Sequence, residues 1–423
     1  MTTGASMSGV AAVVQSDSEL EAQLRTSRAA LRSIGSLGDH YATVLLGQDD
    51  PYPVYEKLRR RGPLQQSRLG TWIITGRSLA DEVLRDRRFG RRTTQGEWPA
   101  GYSDFDNSFL AMDPPDHGRL RRLAMPLFSP RAVGRLRAEV ERACTDLLDK
   151  VGGDGSFDVM TDFAAQVPLT VIAAVFGIPE QWRERFSRLA EKVALVLAGV
   201  AQPAEVHAMR EGVAGMNELF RDIIELRRRE PGEDLVSRLI GDVDGELLTA
   251  DELVAMCGML SLAGTETTVH LIGNGVLAML DAPEQWDLLC GDVDLAAGAV
   301  EETLRFDASV QIQSRYAHSD IELAGKRVKK DAQLVMLTGA CNRDPEVWAD
   351  PGVFRLGRRD EAEHISFSSG IHYCVGAPLA RLEGEVALRM LAERFPRLRR
   401  DGEVVRRVSP FIRGLRSLPV RGD

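Results

Sequence analysis

Phe367-Ser-Ser-Gly370-Ile-His372-Tyr-Cys374-Val-Gly376-Ala-Pro-Leu-Ala-Arg381 decides how the rest of this chain is read. One cysteine stands between two glycines, just ahead of a run that reads as a helix from Ala377 to Met390 with Pro378 tolerated in its first turn. The glycines sit where a side chain would keep backbone from approaching a ligand, and both tolerate unusual backbone angles. The loop is therefore expected to lie against a planar surface. Its sulfur stands near the positive end of a helix dipole, which favours the thiolate, the ligating form. Cys144, Cys257, Cys290 and Cys341 lack such a setting and read as small buried hydrophobes. No two of the five cysteines have zinc-finger or CxxC spacing, which argues against a zinc site and against dithiol redox chemistry.

With Phe367, Gly370, His372, Cys374 and Gly376 in the pattern FxxGxHxCxG, the stretch resembles the haem-binding loop of the cytochrome P450 monooxygenases. The resemblance covers about residues 50 to 420. It implies a mainly α fold with small β-sheets (α+β), in which haem b lies between a long central helix and the cysteine loop. Cys374 would be the axial iron ligand, Phe367 would shield the sulfur, Gly376 would sit against the cofactor, and His372 would meet a haem propionate. Ser368 departs from the pattern, since many relatives carry glycine there.

The chain has 423 residues, 44% hydrophobic and 27% charged, enough for a large core in one or two domains. A net charge of -9, without basic clusters interleaved with aromatics, argues against nucleic acid as a partner. No run of about 18 apolar residues offers a membrane span. The first 20 residues are small and polar, without a basic segment leading into an apolar one. An odd cysteine count suits a reducing compartment. The expectation is a cytoplasmic protein with a partly disordered N-terminal tail over 1–45 and a single domain over 46–423.

Helices are expected from about Pro51 to Arg61, from Leu79 to Arg85 and repeatedly between Arg131 and Arg229, with strands in Pro63 to Thr75, Ile321 to Lys330 and Gln333 to Leu337. A long irregular stretch then runs to Ser366. Thr249-Ala-Asp-Glu252 is a capping box opening a helix that runs to about Leu280. Within it, Ala263-Gly264-Thr265-Glu266-Thr267-Thr268 places a carboxylate among hydroxyls, which are expected to compete for backbone groups and open the helix locally. By pattern alone Glu266 also reads as a surface charge and Thr267 as an ordinary helix residue. The resemblance makes them an acid-alcohol pair that supports dioxygen and carries protons, with Ala263 against the haem.

Glu302-Thr-Leu-Arg305 reads alone as a surface ion pair. It matches the family's ExxR motif, whose partner from the later meander would be Arg358, a structural trio. Asn342-Arg-Asp-Pro345, Asp350-Pro351 and Phe354 fit the segment preceding that meander. His117 and Arg121 lie at i and i+4, on one helical face, where a solvated basic face is the plain alternative. The resemblance makes them propionate contacts, together with Arg315 and His372. Arg119 and Arg122 are expected in a docking face for a ferredoxin, which would carry electrons from NAD(P)H through a ferredoxin reductase.

Trp98, Tyr102, Phe105 and Phe109, with Val310, Ile312, Phe411 and Ile412, are candidates to line a lipophilic substrate pocket, although such residues are also ordinary core. The resemblance implies insertion of one oxygen atom from O2 into a C–H bond, by hydroxylation or epoxidation. Phe411-Ile-Arg-Gly-Leu415 points to tailoring enzymes of polyketide or macrolide intermediates. Two other readings remain at this stage. One is an auxiliary protein of the same fold that activates a glycosyltransferase, a class typically without the cysteine ligand, and the other is a haem enzyme of dehydration or isomerisation.

Overall fold

Thr249 begins the element around which the helices pack. Its hydroxyl accepts from the Glu252 backbone N–H at 3.1 Å, and the Glu252 carboxylate accepts from the Thr249 N–H at 2.9 Å. Two donors that a helix start leaves open are thereby satisfied. In the computed structural model, which describes residues 16–97, 108–151, 155–200, 202–244, 247–358 and 362–422, this central helix runs unbroken over Ala250–Leu280. Its 31 residues span about 46 Å.

The expected local opening of this helix is absent. Thr265 Oγ1 donates to Ser261 O at 2.8 Å and Thr267 Oγ1 to Ala263 O at 2.7 Å, so the hydroxyls are satisfied one turn back without displacing the ladder. Gly264 has a packing role instead. A Cβ there would come within 2.8 Å of Ile172 in helix Gln166–Val175, so its absence lets the two helices close on each other. Helices Pro203–Arg229, Ala296–Phe306 and Ala377–Arg394 also pack on the central helix. A Cβ at Gly384 would lie 3.0 Å from Val300, which brings the last two of these equally close.

Beside the helices lies a five-stranded sheet in the order Leu64–Gln66, Trp72–Ile74, Gln333–Leu337, Ile312–Ala317, Phe89–Gly90. Its neighbours are antiparallel except Trp72–Ile74 with Gln333–Leu337, which pair in parallel with Trp72 opposite Leu334. Strand Ile312–Ala317, mixed in polarity and half-buried, carries no alternation that marks it in the sequence. The short strands Arg399–Arg400, Val405–Arg406, Leu415–Ser417 and Pro419–Arg421 are likewise unmarked.

The N-terminal stretch expected as a tail is helical from residue 17. Ser16 and Glu19 form a second capping box, starting helix Asp17–Ser36, and Asp39 caps His40–Leu45. Residues 1–15 lie outside the described residues.

The stretch from 342 to 366 is held by one buried carboxylate. Glu302, 4% exposed, pairs with Arg305 at 2.7 Å and Arg358 at 3.2 Å and accepts the Arg355 N–H at 2.9 Å. Arg305 reaches on to the carbonyls of Asn342, Pro351 and Val353. Asn342 is itself a buried hub, bonded to Leu304 O, Ser366 Oγ and the Ile365 N–H. None of these long-range partners is visible at i, i+3 spacing.

Glu383, 1% exposed in helix Ala377–Arg394, has neither carboxylate oxygen hydrogen-bonded. Burial pushes its pKa up from 4.5 to about 8, and Thr268 offsets little of this. The folded protein thus holds a proton that the unfolded chain gives up near 4.5. This contribution to stability is therefore whole below the unfolded value and is lost as pH rises toward the folded one, by roughly 1.4 kcal/mol per unit crossed. Glu383→Gln keeps the neutral shape. Its melting temperature is expected to exceed that of the parent by a margin that widens between pH 5 and pH 8; a constant margin would refute the assignment.

Candidate functional site

Cys374 N–H donates to Phe367 O at 2.8 Å, closing the loop ahead of helix Ala377–Arg394. The thiol lies deep among other chain segments, and burial pushes its pKa up. Against this act the N–H groups of Gly376 and Ala377 and the cations Arg121 and Arg381. The helix terminus thus favours the thiolate but does not win, because removing the charged sulfur from water costs more than these groups return. Cys374 nonetheless keeps accessible surface of its own. Phe367 is buried, its ring covered by the Arg381 guanidinium at 4.6 Å. Arg381 is in turn anchored to Glu301 at 2.7 Å.

The two glycines of the loop behave differently from their sequence reading. Gly370 has φ +66, and a Cβ there would fall 2.5 Å from Leu84 O, so its absence lets the loop close on helix Arg77–Arg85. Gly376 has an ordinary φ of -82, and a Cβ would stand 3.9 Å from Cys374 Sγ. Ser368 takes φ 64, the left-handed region where glycine is favoured.

Four basic side chains gather near this loop. His117 and Arg121 project from helix Asp116–Ala124, Arg315 comes from strand Ile312–Ala317, and His372 from the loop. The His117 and His372 rings lie 4.1 Å apart, and the Nε2 of each is buried without a hydrogen-bond partner. Burial and nearby arginines push His117 down to about 4 and His372 down to about 3. Arg315 is 2% exposed, and burial lowers it to about 9. Its guanidinium donates to Ser314 O and Ser368 Oγ, not to a carboxylate.

Asp113 and Arg91 belong to the same cluster, and sequence reasoning misses both. Asp113 accepts the Arg91 and Arg92 N–H groups, stands 3.9 Å from His372, and is held down to about 2 despite burial. Only the Arg-Arg pair after Phe89-Gly90 could have hinted at Arg91.

Along the central helix, Ala263 is exposed among buried neighbours, and Thr267 one turn on is half-buried. Glu266 is 8% exposed, with His270 Nε2 at 3.2 Å and Arg407 Nη1 at 2.9 Å from its Oε1. Arg119 is committed elsewhere: it pairs with Glu252 of the capping box and with Asp116, which neutralises it as a docking cation, while Arg122 is exposed.

Of the candidate pocket residues, Val310 bridges Ile412, and Gln311 N–H donates to Phe411 O at 2.9 Å, so these segments meet. Ile312 packs instead against the small cluster of Tyr41, Tyr55 and Leu58. Phe109 is buried beside His117, its ring 6.4 Å away. Trp98, Tyr102 and Phe105 lie outside the described residues.

The family profile described as cytochrome P450 matches residues 43–406. The chain is 36% identical to cytochrome P450 monooxygenase PikC of Streptomyces venezuelae, over 94% of this chain and 95% of that one. It is 38% identical to 6-deoxyerythronolide B hydroxylase of Saccharopolyspora erythraea, over 88% and 96%. The crystal structure of epothilone D-bound cytochrome P450epoK superimposes with a TM-score of 0.81 at 33% identity, covering 89% of this chain and 96% of that one.

The contrast between the two loop glycines is testable. Gly370→Ala must clear Leu84 O from a left-handed backbone and is expected to cost about 1–3 kcal/mol. Gly376→Ala is expected to stay within about 0.5 kcal/mol. Guanidinium unfolding curves of the two variants check this, and equal losses would contradict it.

Proposed function

The chain belongs to the cytochrome P450 family of haem monooxygenases, and from that premise we propose that Cys374 would ligate the iron of its haem b and that Glu266 and Thr267 would deliver protons to the reaction. The residues fit such a group. A planar dianionic cofactor needs a soft ligand on one side and donors for its propionates. The protein gathers a thiol with accessible surface and four basic side chains, of which Arg315 donates to no carboxylate. That buried cation, with no carboxylate bonded to it, is the observation that carries the reading.

His117, Arg121, Arg315 and His372 would hold the propionates, the imidazoles as neutral donors and the guanidiniums as charges. Ala263, small and exposed, leaves a flat approach on the central helix. Phe367 would cover one side of the sulfur, and the Arg381 cation stacked on its ring favours the charged form of the thiol. When bound, the haem supplies the iron at which dioxygen is reduced by electrons from a redox partner, the thiolate favouring O–O cleavage. Overall, one oxygen atom enters a C–H bond of the substrate and the other leaves as water, with two electrons and two protons consumed.

The protons reach the pocket through this chain's own groups. Glu266 can take a proton and pass it to the Thr267 hydroxyl, which gives up its present bond to Ala263 O to hand one on. The electrons are assigned to a ferredoxin and an NAD(P)H-dependent reductase, with Arg122 in the docking face. The substrate is assigned to lipophilic polyketide or macrolide intermediates, supported by relatives named for 6-deoxyerythronolide B and crystallised with epothilone D. Val310, Phe411 and Ile412, where two segments meet, would contact it. The enzyme is placed in the cytoplasm as one domain over 46–423; among the described residues no helix is long and apolar enough to cross a membrane. The glycosyltransferase-activator reading finds no support in these relatives, which are named as monooxygenases and hydroxylases.

Reduced holoprotein under carbon monoxide is expected to show the strongly red-shifted Soret band of a thiolate-ligated iron, and Cys374→Ala to lose it. A parent protein without that band would defeat the proposal. Glu266→Gln should retain the band while product formation falls by on the order of 100-fold. Spectral titration with a panel of macrolactones, fatty acids and terpenes tests the substrate class, and a response confined to the latter two would refute it.

A further inference from the structure

The carboxylate of Glu266 is clamped from two elements. His270, one turn along the central helix, and Arg407, from the segment following Val405–Arg406, meet the same oxygen, Oε1, at 3.2 Å and 2.9 Å. These are the titratable and charged groups that face it. Burial alone pushes the acid up, but His270 and Arg407 outweigh burial and hold it below its ordinary value, so it is ionised. An ionised acid has no proton to give. The clamp must open for the acid to work.

The two partners are not equally free to move. His270 is 1% exposed, and its ring fills the place a side chain at 414 would take: a Cβ on Gly414 would lie 2.1 Å from Nδ1. Arg407 is about a quarter exposed, and its Nε has no hydrogen-bond partner. Apart from its pair with Glu266, it is held through its backbone N–H, which donates to Gly414 O at 3.0 Å. Arg407 also lines a cleft with Gln48, Tyr55, Gln311, Ser409 and Arg413, of about 10 Å³. That is room for about one water with several polar partners. A single cation, less enclosed than His270, therefore touches both the buried acid and a polar cleft on the side of the C-terminal segment.

We propose that Arg407 is a positioning residue that switches Glu266 between proton uptake from this cleft and proton delivery toward Thr267. The proposal rests on the reading of Glu266 and Thr267 as the proton-delivering pair. In the uptake step, Arg407 releases Oε1 and a hydronium ion in the cleft gives it a proton, leaving water. In the delivery step, the neutral acid loses that proton to Thr267 Oγ1, which gives up its own toward the pocket. The carboxylate, charged again, is recaptured by Arg407.

Arg407→Leu, Arg407→Lys and Glu266→Gln in the haem-loaded protein test this. The protonated-carboxyl infrared band is followed through a pH titration and assigned by its loss in Glu266→Gln. In Arg407→Leu the midpoint is expected to rise by about one pH unit or more, a tenfold change in proton affinity, and Arg407→Lys to restore most of it. The share of electrons released as hydrogen peroxide is expected to rise about tenfold in Arg407→Leu, with the dissociation constant of a bound macrolactone or fatty acid unchanged. An unmoved infrared midpoint, or an unchanged peroxide share where Glu266→Gln raises it, overturns the role of Arg407 alone. If Glu266→Gln and Thr267→Ala also leave the peroxide share unchanged, the proton-delivery reading fails and this proposal falls with it.

Discussion

A guanidinium buried without a carboxylate beside it is a costly thing for a fold to keep. Arg315 is in that position, with Arg91 adding repulsion and only Asp113 offsetting it. The penalty of removing such a charge from water is several kcal/mol. It is tolerated where a bound anion completes the arrangement. The two imidazoles with unpartnered Nε2 atoms and the half-buried Arg121 belong to the same incomplete set. Helix Asp116–Ala124, strand Ile312–Ala317 and the cysteine loop are separated in sequence, yet they converge where this positive wall requires them.

The opposite wall solves a different problem. A helix with hydroxyls and a carboxylate at its middle has every reason to break, but here it does not, because the Thr265 and Thr267 hydroxyls return to the turn below and the carboxylate is neutralised by Arg407 from outside the helix. Reactive groups can thus be presented from a rigid rod. What moves is then a side chain at the rim and not the backbone of the rod. Glu383, in the neighbouring helix Ala377–Arg394, is a buried acid whose burial favours its neutral form.

Much of this is legible in the chain itself. The cysteine motif points to the family before any geometry, and the box at Thr249 and Glu252 marks the central helix at its start, with an end near Leu280 read from the same apolar run. Local signals of this kind need only nearby residues. What stays hidden depends on distant ones. Gly370 reads as making room for a ligand, and nothing in the sequence shows that it also makes room for Leu84, nearly three hundred residues away. Arg119 reads as a docking charge and is spent on the capping box. The break expected at Ala263 to Thr268 fails because helix propensity says nothing about where each hydroxyl finds its acceptor. The polarity of the N-terminal stretch suggests a tail, although Ser16 and Glu19 carry the same capping signal that succeeds at Thr249.

The glycine contacts between helices have a consequence for how this protein can diversify. Where Gly264 faces Ile172 and Gly384 faces Val300, the backbones are already at the limit of approach, and the scaffold has no slack to surrender. Any side chain added at either glycine would have to push the paired helices apart, so a lineage under pressure to accept a new molecule would leave these contacts alone. Novelty would have to accumulate in the short segments around Val310 and Ile412, which touch through a single bridge and belong to no helix. Conservation and innovation would therefore be divided between two sets of residues, with the same frame inherited intact while its edges change.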